Sequence, residues 1–294
     1  MKMVSVYEVR AFTEGQTGGN SAGVVLEAGE LDLSERDMQQ IASEMGFSET
    51  AFVFPSENAD YRLRFFTPTN EVELCGHATI ATFWLLQHLG RLNGQCDLSQ
   101  ETAAGILQIQ VTGQEILMTQ KAPEFGPILE PDEVLWSLGL SESSLMPGLP
   151  VQIVSTGLKD ILIPVESETC LQTLQPDLDE IRRISEALGV VGYHVFALAG
   201  EEGTTAWCRN FAPLYGIDEE SATGTSNGAL AAYLSAYGAV NEDQMRFSQG
   251  LWMGNPSSVR VKVVWDHERE VISKVWVGGQ GILAGIRTVV LSAD

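Results

Sequence analysis

The sequence predicts an α+β fold built from two related halves, each a set of strands wrapped around one buried helix. Three observations predict it. Two segments, ATIATFWLLQHLG at 78–90 and GALAAYLSAYG at 228–238, are apolar almost all the way round, and a helix without a polar face is enclosed on every side. Most of the remaining pattern reads as strands. Each buried helix also follows the same order of signals: RFFTP at 64–68 and RNFAP at 209–213 share R-x-F-x-P, a loop with glutamates comes next, and then a small-residue turn, CGHAT or TGTSN. A five-residue match recurring before two such helices points to duplication.

In chain order, MKMVSVYEVRAF reads as a first strand. SERDMQQIASEM at 34–45 reads as a helix, with Ser34 and Asp37 spaced as a capping box and Met38, Ile41 and Met45 on one face. TAFVF at 50–54 and DYRLRFF at 60–66 are strands, the second alternating Tyr61, Leu63 and Phe65 with Arg62 and Arg64. GILQIQVTG and EILMTQ form a hairpin with Gly113 in its turn. Prolines at 123, 127, 131, 147 and 150 then punctuate a stretch holding one short helix, DEVLWSL, and predict a connection between two lobes. Beyond it, strands are predicted at VQIVS, DILIPV, YHVFALA, TTAWCRNF, SVRVKVVW, VISKVWV and ILAGIRTVVL, with a helix over DLDEIRRISEALG capped by Gly189. The resulting division places an N-terminal lobe at 1–121, completed by a C-terminal strand at 283–294, and a second lobe at 122–282.

Composition narrows the partners. Of 294 residues, 17 are basic and 39 acidic, a formal net charge of −22. Such a field repels phosphate backbones, so nucleic acid is not an expected partner. The acidic residues are scattered and read as a solvated surface. No apolar run approaches the roughly 18 residues of a membrane span, so no membrane partner is expected. Cys75, Cys96, Cys170 and Cys208 form no C-x-x-C pair, and the N-terminal segment reads as a strand rather than a leader; a cytoplasmic protein with free thiols is expected. There is no clustered Cys/His metal set, no H-E-x-x-H pair and no Walker motif, and GGQGILAG at 278–285 has the spacing G-x-G-x-x-x-G without room for a βαβ unit after it. His88, His194 and His267 are scattered.

The chemistry concentrates at the helix starts. A buried helix exposes only its ends, and its N-terminus offers unpaired N–H groups and about half a positive charge, a ready anion site. Gly76 and Gly224 would let a ligand approach the backbone closely. Two such ends facing one cleft would hold a carboxylate despite the charge of the whole chain.

The segments GGNSAGVVL (18–26), GFSETAFV (46–53), ELCGHAT (73–79), FAPLYGIDEESATGTSNG (211–228) and SQGLWMGNPS (248–257), in this order, resemble the signatures of the PhzF-like isomerases of phenazine biosynthesis, relatives in fold of diaminopimelate epimerase and proline racemase. The resemblance spans nearly the whole chain. It implies two pseudo-symmetric α+β lobes, each a mixed β-barrel around a central helix, an active site between them, no cofactor and no metal, proton transfer on a small anionic, carboxylate-bearing substrate, and a homodimer.

By that resemblance Glu49, in S-E-T, is the proton shuttle. Read alone it is a surface carboxylate; TAFVF beside it offers the apolar surroundings that push a carboxyl pKa towards neutrality and make it a better base. His77 is either a hydrogen-bonded core histidine or, as the resemblance implies, an active-site residue kept neutral by the helix dipole. Glu220, in DEESATG, stands where the family usually has the aspartate of E-D-P-A-T-G, and Ser221 where it has proline; the extra methylene shifts the acid by roughly an ångström or more. Glu219 reads as structural or solvated. Gly76, Gly224 and Thr225 would supply backbone donors to substrate oxygens, and Asn20 in GGNSAG would bind substrate polar groups. Cys75 supports a rival chemistry, a thiol-dependent racemase, epimerase or dehydratase, although Thr223 occupies the position of a second thiol. A non-catalytic small-molecule-binding protein is the alternative from another class.

Overall fold

In the computed structural model, residues 2–200, 203–266 and 268–291 are described, so His267 and the last three residues of the strand expected at 283–294 lie outside the described residues. The elements run β1 (Lys2–Ala11), β2 (Asn20–Val25), α1 (Glu35–Met45), β3 (Thr50–Phe54), β4 (Tyr61–Phe66), β5 (Glu71–Val72), α2 (Gly76–His88), β6 (Cys96–Thr102), β7 (Gly105–Thr112), β8 (Glu115–Thr119), β9 (Glu124–Ile128), α3 (Asp132–Trp136), β10 (Gln152–Ser155), β11 (Lys159–Pro164), α4 (Glu168–Gln172), α5 (Leu178–Leu188), β12 (Gly192–Leu198), β13 (Ala206–Ala212), β14 (Ile217–Glu220), α6 (Gly224–Ala236), β15 (Gln244–Gln249), β16 (Ser257–Asp266), β17 (Val271–Gly279) and β18 (Gly281–Leu291). The fold is mixed α/β. It divides into two compact units: residues up to Thr119 with those from Gly278 onward, and Gln120–Val277.

In the first unit, β1 pairs antiparallel with β18 and β2, β2 runs parallel to β3, and β3 pairs antiparallel with β4. β4 forms a hairpin with β5 and lies parallel to β6, which continues antiparallel through β7 to β8. The parallel step from β2 to β3 needs a crossover, supplied by α1. That helix starts on a complete capping box between Ser34 and Asp37, ends at Gly46, and buries Met38, Ile41, Ala42 and Met45. α2 has no polar face: every residue from His77 to Leu86 is buried. It packs on β1, β2, β3, β8 and β18.

The second unit repeats this order. β10 pairs antiparallel with β11, β11 lies parallel to β12, β12 pairs antiparallel with β13, and β13 forms a hairpin with β14 while lying parallel to β15, which pairs with β16. Here α4 and α5 fill the crossover; α5 is capped by Asp177 and ends at left-handed Gly189 (φ 64°). α6, buried without break from Ser226 to Leu234, packs on β10, β11 and β16.

Two expectations change. The proline-punctuated stretch is no bare connection: β9 pairs with β10, and Val134, Leu135 and Leu138 enter the second unit's core with Ile161, Ile163 and Tyr193. The small-residue turns are themselves helical, so α2 starts at Gly76 and α6 at Gly224 rather than at Ala78 and Gly228. The glycines and short polar residues there have low helix propensity, and packing of the whole helix overrides it.

Candidate active site

Four of the residues singled out gather in the first unit. Gly19 (φ 85°) makes the turn that lays β2 along β1, opposing Asn20 to Ala11; a Cβ there would sit 2.6 Å from the Ala11 carbonyl, so no other residue fits. Glu49 lies between α1 and β3, and its carbonyl accepts from the Gly23 N–H at 3.2 Å, which fixes the loop against β2. Its side chain is 21% exposed and reaches Nε2 of His77 at 3.4 Å. His77 sits in the first turn of α2 and is buried; its Nδ1 lies 3.3 Å from Sγ of Cys75. Burial pushes the imidazole pKa below its usual range, opposed by the Glu49 charge and by a hydrogen bond with the backbone of Ser21, the neighbour of Asn20. The ring is therefore neutral near pH 7, with one N–H donor and one acceptor nitrogen among Glu49, Cys75 and the Ser21 backbone. Gly76 opens the helix, and a Cβ added to it would meet nothing closer than Sδ of Met118 at 4.0 Å. The fold does not require glycine there, yet its absence of a side chain leaves the helix end bare.

This end is held from behind. Cys75 is the N-cap and gives no side-chain cap bond. Thr79 bonds back to the Cys75 carbonyl at 2.8 Å, and Gln100 on β6 donates to the Thr79 hydroxyl at 3.1 Å. The R-x-F motif supplies a second brace: Arg64 grips Glu71 with two bonds (2.7 and 2.6 Å) and lies over the Phe66 ring at 5.2 Å.

Glu220, Gly224 and Thr225 belong to the second unit, at the start of α6. The same parts recur around them. Arg209 grips Glu219 with two 2.8 Å bonds and covers the Phe211 ring at 5.1 Å, so Glu219 is structural. Thr223 is the N-cap, again without a side-chain cap bond, and Asn227 bonds back to its carbonyl at 2.9 Å. Gln249 on β15 stands where Gln100 stands on β6. Its oxygen accepts from the Thr223 N–H (3.2 Å) and from Asn227 (2.8 Å), while its nitrogen donates to the Glu220 carbonyl (2.7 Å) and the Thr223 hydroxyl (2.9 Å). All the hydrogen-bonding capacity of that amide is used to hold Glu220 and the helix start together. Gly250 follows because a Cβ would lie 2.8 Å from the Ser221 carbonyl.

A buried polar chain continues inward. Asn227 faces Nε2 of His194 (3.3 Å), Asn210 faces Nδ1 of His194 (3.2 Å) and the Ser226 hydroxyl (3.2 Å), and Ser226 donates to Asp160 at 2.5 Å. Burial lowers the His194 pKa to about 4 and raises that of Asp160 to about 7.

The comparisons agree with this architecture. The profile of the family described as phenazine biosynthesis-like protein matches residues 9–285. An uncharacterized isomerase, YddE, of Escherichia coli O157:H7 is 36% identical over 290 residues, 95% of each chain. A trans-2,3-dihydro-3-hydroxyanthranilate isomerase of Pseudomonas chlororaphis is 30% identical over 96% of this chain and 98% of its own. The crystal structure of a PhzF-family phenazine biosynthesis protein of Bacillus anthracis superposes with a TM-score of 0.89 at 33% identity, covering 99% of this chain and 100% of that one. The chain belongs to the phenazine biosynthesis-like family.

It is a PhzF-like isomerase. For this isomerase, the motifs that carried the resemblance now have physical roles: GGNSAG makes the β1–β2 turn, S-E-T brings Glu49 to His77, and SQG places Gln249 and Gly250 against the Glu220 segment. Gln100, Asn227, Asp160 and the Cys75–His77 contact went unnoticed in the sequence. A polar residue inside a buried helix, Thr79 or Asn227, was the available signal for the first two, since it must find a partner. Among the described residues no helix is long and apolar enough to cross a membrane.

Proposed function

We propose that this isomerase moves a proton between two carbons of a small carboxylate-bearing substrate without a cofactor, with Glu49 as the shuttle. The observation that carries this reading is the contact of Glu49 with a buried His77 at the start of α2. A carboxylate at that point takes a proton from one carbon and returns it to another on the same face of the substrate. His77, neutral through burial, orients Glu49 and donates to or accepts from the substrate without adding a competing charge. The N–H groups of Gly76, Gly224 and Thr225 receive the substrate carboxylate, and the missing side chain at Gly76 gives it close access to the backbone. Asn20 contacts a polar group, and Glu220, held by Gln249, is the second acid.

In this reading each half is a mixed β-barrel around its central helix, the halves are pseudo-symmetric, and the first lobe includes the C-terminal strand. The repeated contacts of Arg64, Glu71, Thr79 and Gln100 with those of Arg209, Glu219, Asn227 and Gln249 support it. The protein acts in the cytoplasm as a homodimer. Dihydro-hydroxyanthranilates are the first substrate class to try, because a relative of 30% identity is an isomerase of one.

The 3.3 Å contact of Cys75 with His77 favours a second reading, a thiol as the base. Two-thiol racemisation lacks its second member, since Thr223 is the counterpart of Cys75. Solvent deuterium incorporation into candidate carboxylates tests the proposal. The Cys75→Ala protein is expected to keep a substantial part of the exchange activity; complete loss in a well-folded variant would transfer the chemistry to the thiol.

A further inference from the structure

Glu49, Cys75 and His77 do more than lie near one another: they offer an oxygen, a sulfur and a nitrogen whose ligating atoms all fall within 4.8 Å. The His77 Nε2 is 3.4 Å from the Glu49 oxygen and 4.0 Å from the Cys75 sulfur. A tetrahedral zinc ion with bonds of about 2.0–2.3 Å separates its ligand atoms by roughly 3.3–3.7 Å. The His77–Glu49 pair already has this spacing, whereas the widest pair, at up to 4.8 Å, must close by about an ångström for all three atoms to share one ion. Cys75 and His77 are buried, and Glu49 is half-buried at the mouth. The hydrogen bond between His77 and the Ser21 backbone is the kind of outer contact that fixes a metal-bound imidazole.

We propose that Glu49, Cys75 and His77 form a binding site for a thiophilic divalent cation of the zinc class, and that its occupancy switches the isomerase off. Three protein ligands leave a fourth position for water or an anion. Coordination displaces the thiol proton to the buffer and forms a metal–sulfur bond, with no change of oxidation state. The metal would occupy the Glu49 carboxylate and one ring nitrogen of His77, the groups assigned to proton transfer. The binding half of the inference rests on geometry alone; the inhibitory half rests on the function proposed above.

The test is titration of the chelator-stripped full-length protein with Co²⁺, followed by absorbance, with Zn²⁺ as competitor. The expected result is one bound cobalt per chain with a thiolate-to-cobalt charge-transfer band that Zn²⁺ erases. In Cys75→Ala the band disappears and affinity falls by more than roughly tenfold, since even outer contacts of metal ligands contribute that much. In the wild-type protein, Zn²⁺ should also slow alkylation of Cys75 by iodoacetamide while leaving Cys96 unchanged, a readout that does not depend on a variant folding. A bound cobalt without the thiolate band, equal affinity in Cys75→Ala, or unprotected Cys75 overturns the site. Zinc inhibition of deuterium exchange, relieved by chelator and absent in Cys75→Ala, tests the switch separately. Failure to bind cobalt leaves the role of Glu49 intact, whereas exchange surviving in Glu49→Gln removes that role and leaves the metal site standing.

Discussion

Glu49→Gln keeps the shape of the side chain but removes the carboxylate that is proposed above as the base and that lies against His77. Deuterium exchange into the substrate is expected to fall by roughly 100- to 10,000-fold, the usual contribution of a positioned acid–base group, with the circular dichroism spectrum unchanged. Asp160 allows a prediction about stability. Its pKa is about 7 in the folded protein against an ordinary 3.8, because burial penalises the charged form. Between those values the folded chain holds a proton that the unfolded chain has lost, so this group's contribution falls as pH rises from about 4 to 7 and is fully lost above that, by at most about 4 kcal/mol. Asp160→Asn should therefore show a flatter profile of melting temperature against pH and a relative gain at pH 8; an identical slope in both proteins would refute the assignment. At this scale the sequence singled out Glu49 and His77, which the structure places in contact, because each sits in a short motif. It concealed Asp160 and Gln249 because their partners are distant in the chain, Ser226 for one and Thr223 for the other.

The Arg–Glu clamps behind the two helix starts are the same element used twice, at different depths. The Arg209 and Glu219 side chains are 11% and 17% exposed, those of Arg64 and Glu71 23% and 32%. Removing one partner of an enclosed pair strands a charge, which costs about 3 kcal/mol, whereas a more hydrated pair contributes about 1 kcal/mol. Glu219→Ala should thus destabilise more than Glu71→Ala in urea unfolding, and equal losses would show that depth does not matter here. The buried helices and the R-x-F-x-P repeat were legible because both leave periodic or repeated marks. β5, β6, β9 and β14 were not: β5 has two residues, β9 contains Gly126 and Pro127, and CDLSQET and IDEE carry too few apolar side chains for a period to stand out. Their strand form comes from hydrogen bonding to neighbours, a tertiary property. β15 was legible in principle, since Met245 and Phe247 alternate with polar residues and are buried.

For the whole molecule, a net charge of −22 opposes the approach of a carboxylate. Added salt screens that repulsion, so kcat/KM for an anionic substrate should rise over the first ~0.1 M of salt, where the Debye length shrinks to about 10 Å; a fall instead would mean that a local positive field steers the substrate in. The repeat marks the two units in the sequence, and the expected completion of the first by the C-terminal strand takes the form of a pairing across nearly the whole chain, Lys2 opposite Leu291. That pairing has a consequence for folding. The sheet of the first unit is complete only when β18, which follows the whole second unit in the chain, pairs with β1, whereas the second unit is continuous from Gln120 to Val277. The second unit thus needs no strand from outside 120–277, while without β18 the strand β1 keeps an unpaired edge. A released chain truncated after Val277 and probed with protease should protect the second unit and leave the first open to cleavage.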